Sequence, residues 1–227
     1  MILWSDKIIA YNQELDFNGA LPSGIRIMNP YAESTAALQA SEIFYRKYYS
    51  DNKPRKLIMG INPGRHGAGA TGIPFTDPKR LVEAVIIPWE GPSSHEPSSV
   101  FIYDMINAYG GPELFYAKYF INAVSPLGYT IAKKDGREVN YNYYDSDVLF
   151  KNVLPYIASN LETLRAMGFD METCYCLGIR NARCLAGINA QGKYFGRIIP
   201  LEHPRYIMQY RLRLKGDYIN KYMDALK

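Results

Sequence analysis

The sequence predicts an α/β protein, a three-layer α/β/α sandwich around a central, mostly parallel four-stranded sheet. Short apolar runs that fit buried strands alternate with amphipathic segments that fit helices, and this alternation is typical of a parallel sheet covered on both faces. The 227 residues are 48% hydrophobic and 21% charged, which suffices for the core of one domain over residues 1–227. No internal repeat or low-complexity linker divides the chain.

The first fifty residues predict a helical cover for this sheet. Amphipathic periodicity indicates helices at roughly 4–15 and 33–49. The segment that carries the motifs, 56–210, begins with the run KLIMGI at 56–61. A short apolar run before a turn signal is typical of a buried parallel strand.

The remaining elements continue the alternation of helices and strands. A helix at 98–111 is favoured by serines near its N-cap and by closing glycines, and Gly168 ends a long helix that starts near Asp145. In chain order we predict a helix at 98–111, a strand at 117–124, a helix at 145–167, a strand in TCYCLG at 173–178, a short helix at 181–189, a strand at 194–204 and a final helix at 205–225.

Each predicted strand ends in a polar or turn-forming cluster. These clusters are Asn62-Pro-Gly64, Asn122, Gly178-Ile-Arg180 and His203-Pro-Arg205. Ligands of open α/β sheets bind beyond the carboxyl ends of the strands. The sequence therefore predicts one functional site at this edge of the sheet.

Composition restricts the class of protein. No run of about 18 apolar residues is present, so no membrane span or membrane partner is expected. The N-terminal segment is charged too early for a signal peptide, which predicts a cytoplasmic protein. Cys174, Cys176 and Cys184 fall short of the four thiols that closed metal sites normally use. We expect core cysteines and no metal site.

The C-terminal quarter of the chain is basic. Residues 179–227 hold ten Lys and Arg against three Asp and Glu, whereas residues 1–178 hold sixteen against nineteen. Such a patch suits a polyanion, because cations that bind phosphates release counterions. On charge alone, a solvated helix face explains the pattern equally well.

The segment MGINPGRHGAGATGIPF at 59–75 contains the pattern G-x-G-x-x-G at 67–72. A dinucleotide fingerprint requires these glycines at the turn from strand to helix. Here they begin five residues after Asn62, and Pro74 and Pro78 argue against an immediate helix. A nucleotide-cofactor enzyme is therefore disfavoured. Long glycine-rich loops in compact domains are uncommon unless they are functional.

Three motifs together resemble those of uracil-DNA glycosylases. Gly60-Ile-Asn-Pro-Gly64, followed by Thr71-Gly-Ile-Pro-Phe75, resembles the first motif of that family, most of all in a bacterial-type variant of its single-strand-selective monofunctional (SMUG-like) branch. Asn122-Ala-Val-Ser-Pro-Leu127 and His203-Pro204 resemble the second and the C-terminal motifs of that branch. The resemblance extends from about residue 56 to residue 210.

The resemblance implies two catalytic residues. Asn62 would position the water that attacks the sugar C1′, and His203 would donate a hydrogen bond to the uracil carbonyl oxygen as charge develops there. Gly60 and Ile61, in the same motif, are expected to line the base pocket. Without the resemblance, Asn62 is favoured as a turn residue before Pro63.

The resemblance also implies how the base is bound. Asn122 would read the Watson–Crick edge of a flipped base, and Phe75 would stack on its face. Gly64 stands where ordinary uracil-DNA glycosylases carry a tyrosine that excludes the methyl group of thymine. A glycine would leave room for water or for a 5-substituted uracil such as 5-hydroxymethyluracil.

The His-Pro motif departs from the family in the residues after it. The phosphate-binding serine of the family is absent, and we expect Arg205 to serve in its place. A DNA-contacting wedge is predicted from the next segment; its residues, with the arginines beside it, are Arg205, Tyr206, Ile207, Met208 and Arg211. An equally good interpretation is that these residues begin the final helix and pack inward.

The predicted function is that of a monofunctional DNA glycosylase, a hydrolase that excises uracil or related deaminated bases and initiates base excision repair. The expected partner is DNA, single- or double-stranded, that contains uracil or a related base. The enzyme is expected to be a monomer, and no cofactor is expected. No lysine falls within the motifs, so a Schiff-base lyase step is not indicated. The alternative is a nucleic-acid-binding protein with a glycosylase-like fold and little or no catalytic activity.

Overall fold

The computed structural model describes residues 2–226, and in that range it contains seven strands in two sheets. The strands are β1 (Ile25–Met28), β2 (Lys56–Gly60), β3 (Tyr119–Ala123), β4 (Gly128–Ala132), β5 (Glu138–Tyr141), β6 (Asp170–Leu177) and β7 (Arg197–Leu201).

Helices contain most of the rest of the described chain. They are α1 (Trp4–Gln13), α2 (Pro30–Glu33), α3 (Thr35–Tyr48), α4 (Ala68–Thr71), α5 (Pro78–Glu83), α6 (Pro97–Tyr109), α7 (Pro112–Tyr116), α8 (Asp147–Met167), α9 (Ile179–Gly192), α10 (Pro204–Tyr210) and α11 (Lys215–Ala225), with a 3-10 turn at Leu212–Leu214 between the last two.

The central sheet has the strand order β3-β2-β6-β7, and all three pairings are parallel. The middle of β2 and the whole of β3 are buried, because helices cover both faces of this sheet. The predicted fold class is therefore confirmed. Since the strands are parallel, the residues just beyond β2, β3 and β7 meet at one edge.

A second, three-stranded antiparallel sheet, with the order β1-β4-β5, was not predicted. Its strands have only four or five residues, and β5 is largely half-buried rather than alternating between buried and exposed positions. This sheet matters for the site because the end of β5 and the two residues after it, 141–143, contact the end of β2.

The C-terminal part of the chain differs from its prediction. The prediction of one helix over 205–225 is wrong. The backbone leaves helical geometry at Arg211, with φ −135° and ψ 26°, and becomes helical again in α11. β7 is also shorter than the predicted strand at 194–204. α8 does end at Gly168, which caps it in the left-handed conformation at φ +97°.

The N-terminal helices α1 and α3 agree with their predictions and pack against the central sheet. Trp4 stacks on Phe169 at 4.2 Å between ring centroids, and Phe169 stacks on Phe120 of β3 at 4.7 Å. Cys174 and Cys176 are buried in β6 as core residues. None of the helices in residues 2–226 is long and apolar enough to cross a membrane.

Candidate active site

A cavity of about 160 Å³ opens at the carboxyl ends of the central strands. It brings together all seven residues that the sequence predicts as catalytic or base-binding, namely Gly60, Ile61, Asn62, Gly64, Phe75, Asn122 and His203. The cavity therefore unites side chains from three separate motifs at the edge where parallel strands end.

The side-chain amide of Asn62 is held in one orientation by the backbone at and just after the end of β5. Its Nδ2 donates to the carbonyl oxygen of Tyr141 at 3.2 Å, and its Oδ1 accepts from the N–H of Tyr143 at 3.1 Å. These contacts fix which end of the amide is the acceptor. A carbonyl oxygen has two lone pairs, so Oδ1 can also accept a hydrogen bond from a water.

A buried hydrogen-bond network connects this segment to the sheet. The hydroxyl of Tyr143 donates to Oδ1 of Asn181 at 2.8 Å, and Nδ2 of Asn181 donates to the carbonyl oxygen of Gly60 at 3.0 Å. Tyr143 and Asn181 are both fully buried. The network ties the ends of β2 and β6 to the segment that orients Asn62, and the sequence did not predict it.

His203 is the N-cap of α10, and its ring is oriented by the first turn of that helix. Its Nδ1 accepts from the N–H of Arg205 at 3.1 Å, so the ring proton of the neutral imidazole lies on Nε2. Burial, with a smaller contribution from Arg205, lowers the pKa of His203 to about 4. At neutral pH the residue is therefore an uncharged donor.

Phe75 has an unusual backbone conformation for a residue other than glycine, with φ +52°. Its ring packs closely against the backbone of Gly60, so that a Cβ on Gly60 would lie only 3.0 Å from Cε2 of Phe75. The buried Thr71 braces the turn: its hydroxyl donates to the carbonyl oxygen of Thr76 at 2.6 Å and accepts from the N–H of Ile73 at 3.2 Å. The Thr-Gly-Ile-Pro-Phe motif is thus a turn that places an aromatic ring on the pocket.

Asn122 lies at the end of β3 and is 7% exposed. Its Oδ1 accepts from the N–H of Ala123 at 2.8 Å, and its Nδ2 lies 3.5 Å from the hydroxyl oxygen of Tyr11. Burial raises the pKa of Tyr11 well above its usual value, which keeps the hydroxyl protonated. Asn12, also on α1, lines the cavity as well. The first fifty residues thus contribute to the pocket wall in addition to covering the sheet.

Glu96 is a pocket residue that the sequence did not predict. It precedes α6 and lines the cavity together with Asn140 of β5. Burial raises the pKa of Glu96 to about 7, with a smaller increase from Asp77, while a hydrogen bond from Ser99 and the charge of Arg205 act in the opposite direction. No motif marks this residue, which lies in a proline- and serine-rich loop.

The predicted wedge residues do not share one face of α10. Tyr206 is 37% exposed, Arg205 and Arg211 are exposed, and Met208 is half-buried against the core. Ile207 is fully buried in the hydrophobic core, so its prediction as a wedge residue is wrong. Tyr210, which was not predicted, is 61% exposed and lies 5.8 Å from Tyr206 between ring centroids.

A known protein family matches most of this chain. The family model described as the uracil DNA glycosylase superfamily matches residues 46–227, most of the chain. The chain belongs to the uracil DNA glycosylase superfamily. This glycosylase is therefore a hydrolase of N-glycosidic bonds that acts in base excision repair of DNA. The predicted family and enzyme class are confirmed.

One solved structure is similar to this glycosylase over its whole length. The crystal structure of wild-type SMUG2 from Pedobacter heparinus shares 52% sequence identity with it, covers 99% of this chain and 97% of that chain, and gives a TM-score of 0.96. A search of curated proteins found no match. The similarity supports the SMUG-like branch that the sequence predicts.

Proposed function

We propose that this glycosylase is a monofunctional enzyme that hydrolyses the N-glycosidic bond of uracil, and of 5-substituted uracils, in DNA. Its partner is DNA that contains such a base, and the protein acts as a cytoplasmic monomer. The observation that carries the proposal is that Asn62 and His203 line the same cavity as Phe75 and Asn122. Water positioning, leaving-group stabilisation and base recognition are thereby available in one pocket.

His203 stabilises the leaving base. When the bond between C1′ and N1 breaks, both bonding electrons go to the uracil, and negative charge develops on its O2 oxygen. The Nε2–H of a neutral histidine donates to that oxygen without transferring its proton. Its orientation is set in advance by the Arg205 N–H on Nδ1, so no reorganisation is needed during the reaction.

Asn62 positions the attacking water. An amide is too weak a base to remove a proton from water, but its Oδ1 can accept a hydrogen bond and aim the water oxygen at C1′. This suits a sugar that has become oxocarbenium-like after the base has left. The water adds to C1′ and loses a proton to solvent, which yields an abasic site and a free base.

Asn122 and Phe75 recognise the flipped base. The Asn122 amide can accept from N3–H and donate to O4 of uracil, whereas cytosine presents an acceptor at N3 and a donor at C4. The wrong base would leave buried polar groups unpaired, which costs about 1–3 kcal/mol for each group. Stacking on the Phe75 ring contributes about 1–3 kcal/mol to binding of any base.

The exposed part of α10 contacts DNA. Tyr206 and Tyr210 are exposed aromatic rings, and the Arg211 guanidinium lies 5.4 Å over the Tyr206 ring. Arg205, beside the cavity, suits a backbone phosphate. This arrangement favours an aromatic wedge with flanking cations.

A lyase step is not part of the proposed reaction. Of the described residues that line the cavity, none is a lysine that could form a Schiff base with C1′. We expect strand cleavage only after alkali treatment of the product. The test is incubation with labelled single- and double-stranded oligonucleotides that contain uracil, 5-hydroxymethyluracil, xanthine or hypoxanthine, with and without alkali. Absence of abasic sites on the uracil substrates would contradict the proposal, and strand breaks without alkali would contradict its monofunctional part.

A further inference from the structure

The amide of Asn12, near the end of α1, is a buried polar group in the wall of the cavity. The residue is 5% exposed and lines the cavity. Its Nδ2 forms no hydrogen bond with any protein atom of residues 2–226. Buried amide donors in native proteins nearly always have a partner, so a donor without one requires an explanation.

The hydroxyl of Tyr45 is a polar neighbour of this amide. Burial raises the pKa of the Tyr45 hydroxyl, and the Asn12 amide acts in the opposite direction. An amide NH₂ group has two N–H bonds, so this neighbour leaves at least one of them without a protein acceptor. The acceptor for that N–H therefore comes from whatever fills the cavity.

Asn12 follows a residue that contacts Asn122, the proposed base reader. That residue is Tyr11, whose hydroxyl oxygen lies 3.5 Å from Nδ2 of Asn122. Consecutive helical residues point in directions about 100° apart, so Tyr11 contacts Asn122 while Asn12 faces the cavity that Asn122 also lines. Successive residues of α1 thus support one amide of the pocket and supply a second.

The other cavity residues from the part of the chain before β2 have no side-chain donor to offer. Within the described residues these are Leu15, Pro30 and Tyr31. The first two have apolar side chains, and the hydroxyl of Tyr31 already donates to the carbonyl oxygen of Gly72 at 2.6 Å. On this wall of the cavity, the donor left for a ligand is therefore the Asn12 amide.

We propose that Asn12 is a specificity-determining residue that donates a hydrogen bond to a carbonyl oxygen of the flipped base, at the edge that Asn122 recognises. The inference rests on the proposed function, in which that edge presents the O4 oxygen of uracil. The ligand class is then a base with an oxo group at this edge rather than an amino group.

A donor without a protein partner suits a residue that serves a ligand. The unpaired amide makes the free enzyme less stable, and an oxo group in the cavity supplies the missing acceptor. An amino group in the same place would present its own N–H bonds to Nδ2 and leave both donors unpaired. Asn12 therefore strengthens the discrimination between oxo and amino bases that one Asn122 amide provides.

The test uses Asn12→Leu, which keeps a branched side chain but removes its polar atoms. Single-turnover release is measured from one oligonucleotide sequence that carries uracil, 2-thiouracil or 4-thiouracil, because sulfur accepts hydrogen bonds more weakly than oxygen. The variant should be about tenfold slower on uracil, as expected for one lost hydrogen bond. Its rate on 4-thiouracil relative to uracil should rise, because the lost bond was weaker to sulfur. The corresponding ratio for 2-thiouracil should stay at the wild-type value, since O2 faces His203 in the proposed function.

Stability separates this role from a structural one. Because Nδ2 has no protein partner, the urea midpoint of Asn12→Leu should be no lower than that of the wild-type enzyme. Asn12→Ala repeats the measurements with a smaller side chain, so a loss of rate in both variants does not come from a blocked cavity. The matched control is Gln13→Leu on the same helix; Gln13 is exposed and its Nε2 donates to Glu42 at 2.9 Å, so all rates should stay at the wild-type values.

A wild-type rate of uracil release in folded Asn12→Leu and Asn12→Ala would overturn the inference. A lower urea midpoint in both variants, together with slower release, would overturn it in favour of a structural role. A slower uracil rate with an unchanged 4-thiouracil ratio would overturn the assignment to this edge, and where 4-thiouracil is released too slowly to measure, the uracil rates of the two variants decide. Failure of the wild-type enzyme to release uracil would instead overturn the proposed function, so the two failures are distinguishable.

Discussion

Replacement of His203 separates the cap that the structure shows from the leaving-group role that we propose. Nδ1 accepts from the Arg205 N–H and caps α10, while Nε2–H is the proposed donor to the leaving base. His203→Ala removes both functions. His203→Ser keeps a cap, since serine is a favoured N-cap residue, but its short hydroxyl cannot reach the base.

The expected magnitudes differ for the two roles. Loss of one preorganised donor to a developing oxyanion costs roughly 10²–10³ in rate, or about 2.7–4 kcal/mol. Both variants should show this loss on uracil. Loss of the cap lowers the free energy of unfolding by about 0.5–2 kcal/mol, and only the alanine variant should show it. Because the pKa of His203 is about 4, the wild-type donor remains neutral and its contribution to the rate stays constant throughout the neutral range.

The assay is single-turnover excision of uracil, together with urea unfolding of the same preparations. A 5-fluorouracil substrate provides an internal control, because its more acidic leaving group needs less stabilisation and should reduce the defect of both variants. A serine variant that excises uracil at the wild-type rate would refute the leaving-group role. Equal stability of the alanine and serine variants would refute the cap.

Three further outcomes are expected from the packing. Thr71→Val should lower the free energy of unfolding by about 1–3 kcal/mol in urea titration, because it leaves the backbone groups that the hydroxyl binds unpaired; unchanged stability would contradict the brace. Ile207→Ala should lower the free energy of unfolding by about 2–5 kcal/mol, because Ile207 is a core residue. Tyr206→Ala should weaken DNA binding in a titration with little effect on the free energy of unfolding. A stable Ile207→Ala variant, or a Tyr206→Ala variant that is destabilised and binds DNA normally, would contradict the placing of Ile207 in the core and of Tyr206 at the DNA. Gly67→Ala should displace the Glu96 carboxyl, because a Cβ on residue 67 would lie 2.1 Å from its Oε2, and a crystal structure of the variant would show the movement; an unmoved carboxyl would contradict that contact.

The principal residues of the candidate site could be predicted because a parallel sheet brings together residues that are distant in the chain. Asn62, Asn122 and His203 each come at or just after the end of a short apolar run, and parallel strands carry such residues to one edge of the sheet. The sequence also predicted Phe75 through its motif. For these residues the local sequence pattern and the sheet topology predict the same location.

The supports of those residues could not be predicted. Asn62 is oriented by the backbone of Tyr141 and Tyr143, at and just beyond the end of a four-residue strand in a sheet that has no periodic signal. Asn181 and Glu96 each act through a contact with a residue distant in sequence. Such contacts are set by tertiary packing, which a pattern over a few residues does not record.

Of the predicted wedge residues, Ile207 is wrong for a geometric reason. Tyr206, Ile207 and Met208 are successive residues of α10, and successive helical residues point in directions about 100° apart. They therefore cannot all face DNA. Ile207 packs inward while Tyr206 faces outward, and Tyr210, one turn further on, shares the exposed face.

The central claim, that this pocket positions water for hydrolysis of the uracil glycosidic bond, is tested most directly at Asn62. Single-turnover release of uracil is compared between the wild-type enzyme and Asn62→Ala, with thermal unfolding as the measure of the fold. We predict that the folded variant is slower by at least about tenfold, as expected for loss of a positioned water. Uracil release by Asn62→Ala at the wild-type rate would contradict the account.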